Sequence, residues 1–107
     1  MKIPLILLIL TILMVGTAGA STINVNESDP NNYTTIQGAV NAAGDYDTIL
    51  VYPGTYTENV DVNKKLNITS TEGASVTYVK AAASNDHVFD IQSNNVNISG
   101  FNISGGY

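Results

Sequence analysis

The feature that most constrains this chain is a doubled phrase near its end, Val96-Asn97-Ile98-Ser99-Gly100 followed by Phe101-Asn102-Ile103-Ser104-Gly105. Its period is five, an odd number. Side chains alternate across a strand with period two, so in one straight strand Val96 and Ile98 would face one side and Phe101 and Ile103 the other. Both pairs are apolar and both are separated by Asn, so both call for the same interior. The chain must therefore turn between them, and Gly100 stands at the turn, where a missing side chain permits a corner. Short strands joined by corners, each turning its apolar residues inward, describe a chain wound around a core. The expected architecture is a solenoid of stacked turns, with a period in the range of about 20 to 50 residues common to repeat folds.

The same alternation runs through the preceding residues. Thr22-Ile23-Asn24-Val25-Asn26 reads as a first strand, closed by the turn-rich Glu27 to Asn32. Ile49 and Val51 alternate with Leu50 in Thr48 to Tyr52, Pro53-Gly54 makes a turn, and Val60 and Val62 alternate with Asn59, Asp61 and Asn63. Further strands are predicted at Leu66 to Ile68, Val76 to Val79, Val88 to Ile91, Val96 to Ile98 and Phe101 to Ile103. They follow too closely for a sandwich, whose turn signals come every 8 to 12 residues or so. One stretch changes period: Ile36, Ala39, Val40 and Ala43 line one helical face. A helix over about 34–43 follows, with Thr34 and Gln37 at capping-box spacing and Gly44 closing it.

The first twenty residues read as a leader. Lys2 precedes the apolar run Ile3 to Val15, and Ala18-Gly19-Ala20 has the A-x-A form of a cleavage site, so residues 1–20 are expected to be a secretory signal cut after Ala20. The alternative is an uncleaved anchor, because Ile3 to Ala20 approaches the roughly 20 residues that span a bilayer. Residues 21–107 then form one small domain, the helix followed by stacked turns over 48–107. The chain has no cysteine, so an exported domain of this size must draw its stability from backbone hydrogen bonding and stacking. Beyond Ala20, three Lys and no Arg stand against nine carboxylates, a side-chain balance of −6. Nucleic acid and anionic membrane are poor partners for that surface, and the acidic balance is otherwise what solubility asks for.

Tyr33-Thr34-Thr35-Ile36-Gln37-Gly38-Ala39-Val40, followed by Asp47-Thr48-Ile49-Leu50-Val51-Tyr52-Pro53-Gly54-Thr55-Tyr56-Thr57-Glu58-Asn59-Val60, resembles the opening segment of right-handed parallel β-helix proteins of the pectin lyase-like superfamily. Val88 to Gly105 is similar to the turn repeat of that superfamily. The resemblance implies an all-β fold, a right-handed parallel β-helix whose open N-terminal end is covered by the short helix. It is specific for fold and not for activity, since the scaffold carries lyases, esterases, hydrolases and non-catalytic surface proteins. In pectinesterase-like proteins the catalytic groups lie on later turns, so no catalytic residue carries over.

Other chemistry is sparse. Asp45-Tyr46-Asp47 offers two carboxylates where Ca²⁺ takes six to eight oxygens, and reads as a polar turn. His87, beside Asp86, reads as a solvated loop residue with no nucleophile near it in sequence. Neither a cofactor motif nor a metal-ligand set stands out. N-x-S/T sequons occur at Asn26, Asn32, Asn67, Asn97 and Asn102. Alternation turns Asn67, Asn97 and Asn102 outward, where they would either carry oligosaccharide or hydrogen-bond to one another in a ladder. Tyr52, Tyr56 and Glu58 are candidate carbohydrate contacts, an aromatic platform beside a rim carboxylate. The expected function is an exported, non-catalytic segment of a cell-surface or envelope protein that displays or binds carbohydrate or an envelope polymer. The alternatives are the first part of a polysaccharide lyase or carbohydrate esterase and a structural surface-layer spacer. The last turn, with no helix over it, would be the surface through which the chain associates.

Overall fold

The computed structural model describes residues 19–107; the expected leader lies almost wholly outside the described residues. Nine short strands and one helix follow one another: β1 (Thr22–Val25), α1 (Ile36–Ala42), β2 (Thr48–Val51), β3 (Gly54–Thr57), β4 (Val60–Val62), β5 (Asn67–Ser70), β6 (Thr77–Lys80), β7 (Phe89–Ile91), β8 (Asn97–Ser99) and β9 (Asn102–Ser104). The described chain is mostly strand, as expected. All pairing between strands is parallel, in three sheets of order β1-β2-β5-β8, β3-β6-β9 and β4-β7. From β2 onward the chain visits the first, second and third sheets in that order, and then begins again.

Register makes like residues neighbours. Ile23, Ile49, Ile68 and Ile98 are consecutive partners across the first sheet. The middle two are fully buried and the outer two partly so. Tyr56, Val79 and Ile103 form the corresponding row of the second sheet, and Val60 pairs with Phe89, Val62 with Ile91, in the third. Except for Ile91 and Ile103, these residues join Val25 and Val51 in a single core cluster. Each fully buried side chain of this size contributes roughly 1.5–3 kcal/mol over its exposed state. Burial falls off toward the last strands, where Ile91 is 44% and Ile103 is 49% exposed. Val96, Ile98 and Phe101 pack against the core, and Ile103 stands in register with buried Val79 on the outer strand of the second sheet.

The turn at Gly100 is where the doubled phrase required it: β8 belongs to the first sheet and β9 to the second. Gly100 has φ +84, and a Cβ there would run into Ser70 Oγ, the next position in the first-sheet register. The glycine thus serves two needs, a left-handed backbone and a close approach to the strand below.

Three expectations are corrected. The helix begins at Ile36, not at Thr34: Thr35 is the N-cap, its hydroxyl accepting from Gly38 N–H at 3.1 Å. Ala43, not Gly44, is the C-cap, in extended geometry. Second, Pro53-Gly54 does not simply turn the chain, because Gly54–Thr57 is itself a strand with Tyr56 inside. Third, the strand predicted at Val76 runs from Thr77 to Lys80. Val76 and Val79 are an odd number of residues apart, so they cannot share a face; with Val79 inside, Thr77 is buried and Val76 is 43% exposed.

Substitution of two glycines separates the needs at Gly100. Gly73 also has positive φ, +94, but a Cβ there would meet nothing. Gly73→Ala should lower stability by about 1–2 kcal/mol through backbone strain alone, and Gly100→Ala by a further 1–3 kcal/mol or so from crowding, read as urea midpoints. Equal losses would contradict the close approach of Gly100 to Ser70.

Candidate functional site

Outward positions fall into rows by the same register that builds the core. On the first sheet Thr48, Asn67 and Asn97 are consecutive partners, as are Leu50, Thr69 and Ser99. Asn97 Nδ2 donates to Asn67 Oδ1 at 2.9 Å, and Ser99 Oγ to Thr69 Oγ1 at 3.1 Å. The second sheet presents Thr55, Tyr78 and Asn102, then Thr57, Lys80 and Ser104. The third presents Asp61 beside Asp90, whose carboxylate accepts from Gln92 Nε2 at 3.2 Å. A rigid parallel framework thus holds hydroxyls, carboxamides and carboxylates one strand spacing apart.

The five sequon asparagines are differently placed. Asn97 and Asn102 are exposed and outward, and Asn67 is half-buried within the ladder. Asn26 is half-buried, its Oδ1 accepting from the Ser28 N–H and hydroxyl at 3.2 and 3.0 Å. Asn32 is half-buried too, its Nδ2 donating to Asp29 Oδ2 at 3.0 Å. Asn102 has no side-chain hydrogen bond among the described residues, whereas the Asn97 amide already spends one of its two hydrogens on the ladder.

The expected trio of carbohydrate contacts does not assemble. Tyr52 is exposed, but Tyr56 is 2% exposed, its hydroxyl donating to the Tyr52 carbonyl at 2.8 Å and accepting from Glu27 N–H at 3.3 Å. Burial pushes the Tyr56 phenol above its usual range; the Glu27 N–H bond opposes this and the Glu27 and Glu58 charges add to it. Parity explains the miss, since Tyr56 stands in the inward row with Val79. Glu58 is not a free rim carboxylate. Its two oxygens accept from Ile36 N–H at 2.8 Å and Gln37 N–H at 3.0 Å, so it serves the first turn of α1. Its place at a turn after Thr55-Tyr56 suggested a rim carboxylate, whereas its partner on α1 lies 22 residues away.

Sequence reasoning passed over Glu27 and Lys64 at this end of the molecule, and the capping role expected of Gln37 is corrected, because its side chain reaches β4 rather than back to Thr34. Gln37 Oε1 accepts from Asp61 N–H at 2.8 Å and its Nε2 donates to Asp61 C=O at 3.2 Å, so one carboxamide stands in for a strand against β4. Glu27 Oε2 accepts from Thr55 N–H at 2.6 Å on β3. Lys64 Nζ donates to the Val40, Asn41 and Ala43 carbonyls at 2.9, 3.0 and 2.6 Å, meeting the negative end of the helix as Glu58 meets the positive end. A shallow cleft of about 470 Å³ lies beside β1, lined by Thr22, Ile23, Asn24, Asn31, Asn32 and Tyr33. His87 is exposed, its ring 5.5 Å from that of Tyr107. Among the described residues no three of His, Asp and Glu gather as metal ligands do.

No family model matches the chain, and no solved structure matches it. Among curated proteins it is similar to a cell surface glycoprotein of Methanothermus fervidus, 41% identical over 105 residues that cover 95% of this chain. The chain spans 17% of that relative's length. The likeness bears on where the chain is found: it is a secreted or cell-surface protein.

Two measurements check these assignments. A double-mutant cycle on Asn67→Ala and Asn97→Ala should return a coupling of about 0.2–1 kcal/mol, the range of cross-strand pairs, and zero coupling would deny the ladder. Glu58→Ala should cost about 0.5–2 kcal/mol, as loss of a helix cap does; unchanged stability would return Glu58 to the surface.

Proposed function

We propose that the chain is a non-catalytic segment of a cell-surface protein, a right-handed parallel β-helix of the pectin lyase-like kind, whose outward polar rows display or bind carbohydrate. The observation that carries this reading is the pair of in-register polar rows, Thr48–Asn67–Asn97 and Thr69–Ser99, with its two side-chain hydrogen bonds. The regular visit to three parallel sheets supports a wound chain, and right-handed crossovers are the rule between parallel strands. Groups fixed in rows meet a polymer without being ordered on binding, so weak contacts add at little entropic cost. An extended polysaccharide with its own repeat is the ligand such a surface suits.

A second reading has its own observation. Because Asn97 donates to Asn67 within the row, the first sheet also suits a spacer that is stabilised along its length and binds nothing. In that case carbohydrate would be attached rather than bound, and Asn102, exposed and with no side-chain hydrogen bond among the described residues, is the acceptor best placed for it. The name of the Methanothermus fervidus relative, a glycoprotein, favours attachment at some of the five sequons.

Residues 21–107 should bind envelope polysaccharides on an array, and Asn67→Ala/Asn97→Ala should weaken that binding about threefold to tenfold. No binding by a chain with a native β spectrum would leave the spacer reading and overturn the binding one.

A further inference from the structure

Ser21 follows the expected cleavage site, and its main-chain nitrogen is held by a carboxylate. It donates to Asp47 Oδ1 at 2.7 Å, while the Ser21 carbonyl accepts from Thr48 N–H at 2.9 Å. Asp47 is 8% exposed, and its other oxygen accepts from Gly44 N–H at 2.8 Å. A carboxylate taken this far out of water is normally matched by a cation. Lys64 is the nearby candidate, yet its ammonium is bonded to the three carbonyls that end α1. Gly19 and Ala20, on the other side of the bond to be cut, are exposed, and a Cβ on Gly19 would meet nothing.

We propose that Asp47 is the receptor for the α-ammonium group that leader removal creates at Ser21. The inference rests on the reading of residues 1–20 as a cleaved leader. A leader peptidase adds water across the Ala20–Ser21 peptide bond; the carbonyl side leaves as the Ala20 carboxylate, and the Ser21 nitrogen leaves as an amine that takes up a proton. An amide hydrogen bond to a buried carboxylate thereby becomes a charge-assisted ion pair, with Asp47 already in place. The strand held is β1, the outer strand of the first sheet, so maturation fastens the edge on which the later strands stack. The precursor, which carries a neutral amide at the same place, has the looser edge.

The charged groups around the pair are Lys64, Lys65 and Asp45, the last accepting from Lys65 N–H at 3.1 Å. The Gly44 and Ser21 amides hold the Asp47 carboxyl below its usual range; burial opposes them and Lys64 adds a smaller pull downward. A depressed carboxyl pKa contributes stability above the unfolded value near 3.9, lost as pH falls through the folded value. A raised ammonium pKa contributes stability that is full below the unfolded value near 7.7–8.0 and lost as pH rises through the folded value. The pair therefore stabilises the mature chain between roughly pH 4 and 8.

The test compares the chain beginning at Ser21 with one beginning at Gly19, both ending at Tyr107. The α-amino group of the Ser21 chain, titrated by NMR, should have a pKa about one unit or more above 7.7–8.0, and the folding equilibrium constant near pH 6.5 should exceed that of the Gly19 chain about tenfold. The advantage should vanish above that raised pKa and in Asp47→Asn. If Asp47→Asn does not fold, the titration and the two-chain comparison still decide. An ordinary α-amino pKa, or equal stability of the two chains, overturns Asp47 as receptor. N-terminal sequencing of the exported protein tests the leader separately, and any start other than Ser21 overturns the maturation step while leaving the titration to stand or fall alone.

Discussion

Parallel register is the constraint from which the rest of this structure follows. Because partners stand at the same height, one inward isoleucine is placed over another, Ile23 over Ile49 over Ile68 over Ile98. The apolar core is then a column rather than a layer, and its energy accrues row by row. The same register sets outward Asn beside Asn and Ser beside Thr, so packing inside and polar chemistry outside are two faces of one alignment. A slip of a single residue would exchange them.

A column has ends, and the first one in this chain is covered. At the first, α1 runs alongside β4, its N-terminus bonded by Glu58 and its C-terminus by Lys64, the residues flanking that strand on either side. Gln37 and Glu27 bond main-chain groups of β4 and β3 that would otherwise be open to a further strand. The acidic composition takes on a different meaning in this light. Six of the nine carboxylates, those of Glu27, Asp29, Asp45, Asp47, Glu58 and Asp86, accept main-chain N–H groups. They close turns and edges as well as keeping the chain in solution.

Parity made the fold legible. The odd repeat of the doubled phrase located the corner at Gly100, and the spacing of Ile36, Ala39 and Val40 located the helix, because both signals lie within a few residues of one another in sequence. The same parity, applied to Val76 and Val79, would have shown that they cannot share a strand face, and applied to Tyr56 it would have put that ring inside. The roles of Glu58, Gln37, Lys64 and Asp47 were not legible, since each acts on a partner some 21 to 26 residues away that only the winding of the chain brings near. Asp47 in particular read as part of a polar turn, and it is the buried acceptor on which β1 is fastened.

At the surface of a cell, a segment built this way holds polar groups at fixed spacing without a disulfide or a large core. Everything claimed for its outer face depends on the alignment of its inner one. Methyl-to-methyl nuclear Overhauser contacts among the isoleucines of residues 21–107 test that alignment most directly. The account predicts an unbroken series, Ile23 to Ile49, Ile49 to Ile68 and Ile68 to Ile98. A series broken at Ile68, or an Ile98 that contacts Ile103 and not Ile68, would contradict it.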